Sequence, residues 1–174
     1  MVRSLLLAAI ACLTIGTVSH GESSGAAALE RIKSMAGTWN GTTEWTGART
    51  GTGSMTASYY LTGNGSAVVE DLGDSSTPVM TSVYHLDGDD LRMTHYCGAQ
   101  NQPRLKAARI DMSRGFIEFA FVDITNLKTP ESPHVHGSEL QFVDADHVVL
   151  TFVFHSDGGV SREKISLARA ARKS

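Results

Sequence analysis

The sequence has very little cysteine, little proline and no excess of positive charge, and these shortages exclude several classes of protein. Only two cysteines occur, Cys12 and Cys97. Cys12 lies in an apolar leader that we expect to be removed, so no disulfide within the remaining chain can hold the domain together. The formal net charge is -3, which gives no electrostatic reason to bind nucleic acid.

The sequence also lacks the common catalytic motifs. It contains no paired-carboxylate pattern, no Gly-rich phosphate loop and no Ser-His-Asp order that would predict a hydrolase. No apolar run beyond the N-terminal leader is long enough to cross a membrane. What the sequence does contain is a leader, one helical stretch and a long series of alternating segments.

Residues 1–20 have the features of a secretory signal peptide. Arg3 supplies a positive start, residues 5–15 are apolar, and small residues precede a cleavage site near His20 or Gly21. An alternative is lipidation at Cys12. Either way we expect a single domain over residues 21–174, exported to the periplasm or the extracellular space and without a transmembrane segment.

The mature chain is predicted to be almost entirely β-structure. Residues 26–35 form the one helical pattern, with Leu29, Ile32 and Met35 at helical spacing and Gly37 just past the end. The segments that follow have six to ten residues and are separated by turns rich in Gly, Asp, Asn and Ser. They cover 38–46, 54–62, 66–72, 78–86, 91–98, 104–110, 115–122, 134–143, 147–155 and 160–168.

These segments predict an all-β, up-and-down antiparallel barrel of about eight to ten strands, with one short N-terminal helix closing an end. The pattern disfavours parallel crossovers, because it contains no second helix of any length to make them. Tight links between consecutive strands favour a barrel over a sandwich, and closure removes the exposed strand edges.

The predicted helix is followed by Gly37-Thr38-Trp39, which resembles the Gly-X-Trp entry to the first strand of lipocalin-like (calycin) barrels. The chain also resembles a group of uncharacterised exported bacterial proteins with a lipocalin-like domain. The residues that carry this second resemblance are Tyr84-His85-Leu86-Asp87-Gly88-Asp89, Thr94-His95-Tyr96-Cys97, Asn101-Gln102-Pro103-Arg104 and Asp144-Ala145-Asp146-His147. The resemblance implies that Trp39 plugs one barrel end and that a C-terminal Arg, either Arg169 or Arg162, covers it. It implies no particular activity.

The turn around Gly88 predicts which side chains of one hairpin face the interior. If Leu86 pairs with Leu91, then Ser82 lies opposite His95 and Met80 opposite Cys97, on the apolar face. A slip of one residue would reverse this assignment.

The same alternation predicts that His134 and His136 point inward with Leu140, unless a bulge at Gly137 reverses them. Three inward imidazoles at His95, His134 and His136 predict a transition-metal or haem site, because imidazole suits Zn, Cu, Fe and Ni. The alternative is that these histidines are polar groups lining a pocket and bonded to water, Ser82 or Tyr84.

Two further residues have both a chemical and a structural interpretation. Cys97 is either a nucleophile with His95 as its base or a buried thiol that acts as a small hydrophobe. Arg104, with Asn101 and Gln102, either captures an anion at the barrel mouth or pairs with an acid such as Glu118.

The function that these patterns favour is binding of a small, largely apolar or weakly acidic ligand inside the barrel. The competing hypotheses are a metal- or haem-binding barrel, an enzyme that uses His95 and Cys97, and an envelope protein with a filled interior. The predicted ligand-binding residues are Met80, Tyr84, Met93, His95, Cys97, Arg104, Phe119, His134, His136, Phe142 and Phe152.

Overall fold

A computed structural model of the protein describes residues 24–73 and 77–171. The predicted signal peptide and Cys12 lie outside the described residues. The elements are α1 (Ser24–Lys33), β1 (Gly37–Gly47), β2 (Gly51–Thr62), a 3-10 turn (Gly63–Gly65), β3 (Ala67–Gly73), β4 (Met80–Asp87), β5 (Asp90–Tyr96), β6 (Gln102–Asp111), β7 (Phe116–Thr125), β8 (His134–Phe142), β9 (His147–Ser156) and β10 (Gly159–Arg169). No helix within these residues has the length and apolar character needed to span a membrane.

The ten strands form one closed antiparallel barrel, as the sequence predicts. Each strand pairs with the next along the chain, and β1 closes the ring by pairing with β10 from Trp39–Arg169 to Gly47–Ser161. The β4–β5 hairpin has the predicted register, with Leu86 opposite Leu91 and Ser82 opposite His95. The turn residues fixed this register because Gly88 adopts a positive φ of 60°, which suits glycine in a tight hairpin.

Helix α1 closes one end of the barrel. Its buried face carries Ala28, Leu29 and Ile32, and it contacts strands β2, β4, β5 and β6. Gly25 passes so close to the β4–β5 turn that an added Cβ would lie 2.1 Å from the Asp89 carbonyl oxygen. The helix ends two residues before the predicted end, yet Met35 is still buried.

Trp39 is the plug of this closed end. It is 1% exposed, its indole N–H donates to the Met35 carbonyl at 2.8 Å, and its ring meets Tyr59 edge-on. The Arg169 guanidinium lies 4.2 Å from the centre of the Trp39 ring. Of the two arginines proposed for this role, Arg162 instead pairs with Glu139 at 3.1 Å.

Candidate functional site: the cavity at the open end

A cavity of about 560 Å³ lies at the end of the barrel opposite α1. Residues of β1, β2, β3, β4, β9 and β10 and of the connections at this end of the barrel form its wall. Its lining is mostly apolar and consists of Trp45, Arg49, Met55, Gly73, Val79, Met80, Cys97, Gly98, Ala99, Pro133, Phe154, Ser156, Ser161 and Glu163. A volume of this size fits one small molecule.

An aromatic pair forms one side of the cavity. The rings of Trp45 and Phe154 are 4.9 Å apart, and the Arg49 guanidinium lies 3.9 Å from the centre of the Trp45 ring. The Arg49 backbone N–H donates to the Ser161 hydroxyl at 2.9 Å. These contacts give the apolar wall a polar, positively charged rim.

Glu163 places a carboxyl group in this apolar wall. The residue is 3% exposed, and its Oε1 accepts a hydrogen bond from the Thr43 hydroxyl at 2.8 Å. Within the described residues no group hydrogen-bonds to its buried Oε2. Burial raises the pKa of Glu163, while the Thr43 hydrogen bond, the charge of Arg49 and the nearby Trp45 indole N–H act in the opposite direction.

Sequence reasoning missed Glu163, although a signal was present. The inward face of β10 carries Ser161, Glu163, Ile165 and Leu167 at every second position. A glutamate in phase with two buried aliphatic residues points into the barrel by alternation alone.

Cys97 is the predicted site residue that the structure places most directly at the cavity. It lines the cavity, is 9% exposed, and its sulfur accepts a long hydrogen bond from the Ala99 backbone N–H at 3.4 Å. Burial raises its pKa, and the charge of Glu163 raises it further. The thiol therefore stays protonated at neutral pH, which does not suit a nucleophile.

Below the cavity, four polar side chains form a row across neighbouring strands. Tyr59, Glu70, Ser82 and His95 are opposite one another on β2, β3, β4 and β5. We call these four residues the polar row. On β2, β3 and β4 the next inward-facing residue toward the cavity is Ala57, Leu72 or Met80. These side chains form a layer that separates the polar row from the cavity.

Glu70 occupies the centre of the polar row. It is 0% exposed, and its Oε2 accepts hydrogen bonds from the hydroxyls of Tyr59 at 2.8 Å and Tyr84 at 2.9 Å. Burial raises the pKa of Glu70 to about 7, because the hydrogen bonds offset only part of the desolvation of the charged form.

His95 ends the polar row and points inward, as predicted. Its Nδ1 is 3.0 Å from the Ser82 hydroxyl, and its ring lies 4.9 Å from that of Phe152. Burial lowers the pKa of His95 to about 4, so the ring is neutral. Since its ring bonds to Ser82 and the Cys97 sulfur bonds to Ala99, the hypothesised His95–Cys97 catalytic pair is not formed.

The prediction that His136 points inward is wrong, because a bulge interrupts β8 where the sequence analysis placed one. Val135 pairs with Phe154 and Gly137 with Val153, so His136 is the extra residue. Val135 takes the inward position at 0% exposure. His136 instead stacks between Phe121 at 4.5 Å and His155 at 4.1 Å.

His134 lies with the same outer group rather than with His95. It is opposite His155 in the β8–β9 pairing, and its Nδ1 is 2.8 Å from the Ser132 carbonyl oxygen. Its Nε2 is 3.4 Å from Nδ1 of His136. The predicted site of His95, His134 and His136 is therefore not assembled. In the described part of the chain, no three His, Cys, Asp or Glu residues are arranged to hold a metal ion.

The structure supports the second interpretation of Arg104, in which the arginine pairs with an acid, and Asn101 and Gln102 also have partners within the protein. Arg104 is exposed and makes two hydrogen bonds to Asp123, at 2.5 and 2.7 Å. Asn101 donates to the Pro133 carbonyl at 2.9 Å, and Gln102 accepts from Thr125. The acid that pairs with Arg104 is Asp123 and not Glu118, since Asp123 lies opposite Arg104 in the β6–β7 pairing, whereas Glu118 lies opposite Arg109.

The remaining predicted ligand-binding residues are divided between the cavity and the core. Met80 lines the cavity with Cys97. The others are buried in the hydrophobic core and are not among the residues that form the cavity wall: Tyr84, Met93, Phe119, Phe142 and Phe152. They fill the barrel between the cavity and α1, which is why the cavity occupies only one end.

Comparison with known proteins identifies the fold but no family. No family model and no curated protein matches the chain. The Rv2717c protein of M. tuberculosis is similar in structure, with a TM-score of 0.55, 13% sequence identity, and coverage of 83% of this chain and 98% of that one. A protein of unknown function from the DUF3598 family of Nostoc punctiforme has a TM-score of 0.53 and 15% identity.

The match to the Nostoc punctiforme protein covers 80% of this chain and 48% of that one, so this chain spans about half its length. At such low identities the likeness extends to the barrel fold alone. Any function for this chain has to be argued from its own cavity.

Proposed function

We propose that this protein binds a small, largely apolar molecule in the cavity at the open end of the barrel. The observation that carries this proposal is a mostly apolar cavity of about 560 Å³ in a barrel that is otherwise filled with side chains. Burying an apolar ligand there gains about 25 cal/mol per Å² removed from water.

The architecture supports a binding protein more than an enzyme. The residues around the cavity supply aromatic and aliphatic surface, and the one thiol there has a raised pKa. The fully buried His95 is bonded to Ser82 beneath the cavity. The Trp39 plug with Arg169 over it supports a relationship to lipocalin-like barrels. The leader supports export, which would make the protein an extracytoplasmic carrier.

Fluorescence titration with N-phenyl-1-naphthylamine, a neutral apolar fluorophore, tests the proposal. We expect saturable enhancement at one site, with a dissociation constant in the range of about 1–10 μM. The site can be blocked chemically, because Cys97 faces the cavity. Protein with Cys12→Ser is treated at high pH, where the thiol ionises, with methyl or benzyl methanethiosulfonate.

The benzyl adduct at Cys97 should abolish fluorophore binding, the smaller methyl adduct should weaken it less, and bound fluorophore should slow both reactions. The matched control carries Cys97→Ser in the same Cys12→Ser protein. It should bind the fluorophore, and neither reagent should change that binding. Absence of fluorophore binding, or binding unchanged by the benzyl adduct, would contradict the proposal.

A further inference from the structure

The Glu163 carboxyl indicates which polar group a ligand of the cavity would carry, whereas the apolar wall indicates only that the ligand is largely apolar. Glu163 lines the cavity, and its Oε1 accepts a hydrogen bond from Thr43. Its Oε2 is buried and has no close hydrogen-bond partner in the described chain, although the Trp45 indole N–H is near enough to the carboxyl to favour its ionised form. A buried acceptor without a partner is costly, and such groups are normally satisfied by protein, water or ligand.

The geometry around Glu163 limits what kind of donor can complete it. Thr43 already occupies one carboxyl oxygen, so the ligand has one acceptor, Oε2, to meet. Arg49, which also lines the cavity, is close enough for its charge to favour the ionised form of Glu163. Because a positive charge is already present beside the carboxylate, a second cation gains little there and still has to be desolvated.

A ligand carboxylate is disfavoured for the opposite reason. Its charge would lie close to the Glu163 carboxyl, and like charges at short range repel strongly in a poorly solvated site, while the charge of Arg49 is already matched by that of Glu163. The charge of Glu163 also raises the pKa of the Cys97 thiol, which lines the same cavity.

We propose that the cavity is built for a neutral alcohol, an apolar body of small size with a hydroxyl that donates a hydrogen bond to Oε2 of Glu163. This inference rests on the proposed function and narrows it. It selects an uncharged hydrogen-bond donor over the weakly acidic ligand that the sequence also allowed. The apolar part of such a ligand would lie between Trp45, Phe154 and Met80, which line the same cavity.

A series of ligands with one chain length tests the inference on the unaltered protein. Displacement of N-phenyl-1-naphthylamine is measured with 1-decanol, decyl methyl ether, decanoic acid and decylamine at pH 7.5. The alcohol should bind about tenfold more tightly than the ether, since the ether cannot donate a hydrogen bond and would leave Oε2 without a donor. The acid and the amine should both bind more weakly than the alcohol.

The variant Glu163→Gln tests the residue. In this variant Thr43 can still donate to the amide oxygen, and the amide NH₂ then replaces the free acceptor with a donor. An ether can accept from that NH₂, so the preference for alcohol over ether should fall from about tenfold to less than about twofold. The matched control is Glu139→Gln, on the outside of the barrel beside Arg162, which should keep the full preference.

The outcomes separate this inference from the proposed function. Equal binding of alcohol and ether by the unaltered protein, tighter binding of the amine or the acid, or an unchanged preference in Glu163→Gln would overturn the alcohol assignment while leaving the cavity as an apolar binding site. Failure of the fluorophore and of every decyl compound to bind would overturn both. The series on the unaltered protein decides the matter even if Glu163→Gln does not fold.

Discussion

The two ends of the barrel use the same pair of residue types, a tryptophan and an arginine, for different purposes: one pair seals the barrel and the other lines the cavity. Strand β1 places Trp39 at the closed end and Trp45 at the open end, and an arginine lies over each ring, at 4.2 Å for Arg169 and 3.9 Å for Arg49. Trp39 is 1% exposed beneath the helix, whereas Trp45 is only partly buried and lines the cavity.

The difference lies in what else each pair contacts. Arg169 also donates to the carbonyl oxygens of Ser34 and Ala36 after α1, so it joins the helix end to the last strand. Arg49 belongs to the short β1–β2 turn, where its backbone contacts Ser161. An aromatic residue with an arginine over it therefore seals the barrel only where a second element packs on the pair.

The largest effect on stability should come from truncating Trp39, and truncating Trp45 gives the comparison at the other end. Trp39→Ala should lower the free energy of unfolding by about 3–5 kcal/mol, because it leaves a large cavity in a closed core. Trp45→Ala should cost about 1 kcal/mol or less, since part of its ring is already exposed, but should weaken fluorophore binding several-fold. Urea unfolding followed by circular dichroism, with fluorophore titration, measures both. Equal losses of stability would remove the distinction between the ends.

The next largest effect is the pH dependence of the free energy of unfolding, which we expect to depend on the polar row in the sealed part of the barrel. Glu70 has a folded pKa of about 7 against an ordinary 4.5, so its contribution to stability is full below pH 4.5 and is lost as pH rises through 7. His95 has a folded pKa of about 4 against 6.5, so its contribution is full above pH 6.5 and is lost as pH falls through 4. Between pH 4.5 and 6.5 the two effects oppose each other.

Glu70→Gln should therefore expose the acid sensitivity of His95. Relative to the unaltered protein, the free energy of unfolding of this variant should rise by about 3 kcal/mol between pH 4.5 and pH 8, at about 1.4 kcal/mol per pKa unit. Urea unfolding at half-unit pH steps measures the difference, in which the other carboxyl groups cancel. Parallel profiles for the two proteins would show that Glu70 titrates normally in the folded state.

The smallest effect should come from the two arginines. Arg169→Ala removes hydrogen bonds to three carbonyl oxygens, the ion pair with Asp146 and the contact with Trp39, and should cost about 2 kcal/mol. Arg49→Ala removes mainly its contact with a partly exposed ring and should cost about 0.5 kcal/mol. Thermal unfolding of the two variants side by side checks the order. A larger loss for Arg49 would mean that the open end is held together more tightly than its contacts indicate.

The sequence allowed the architecture to be predicted because turns and alternation are local signals. The position of Gly88 was enough to place Ser82 opposite His95, and the pairing is as expected. The functional site was harder to predict than the fold, because a β-bulge of one residue changes which side chains of a strand face the interior. The bulge that turns His136 outward was recognised as an alternative, but choosing it required knowing that Val135 fits the core at that point.

Two other residues show why side-chain partners escape a sequence analysis. Arg104 pairs with Asp123, which lies opposite it, but the pairing between the turn and Arg104 contains two register shifts that cancel, and no local pattern encodes them. Glu163 was overlooked because glutamate is rarely buried, so the residue type argued for an exposed side chain although its position on β10 is on the inward face. Burial of an acid at the cavity is a property of the assembled barrel.

The seam between β1 and β10 has a consequence for how the protein is made. Trp39 and Arg169 are neighbours in space but belong to the first and last strands, so the ring stays open until the final strand has been synthesised. That last strand also brings Ser161 and Glu163 to the cavity. A chain shortened before residue 159 would lose its closing strand and part of its binding wall together, leaving two unpaired edges free to join other chains.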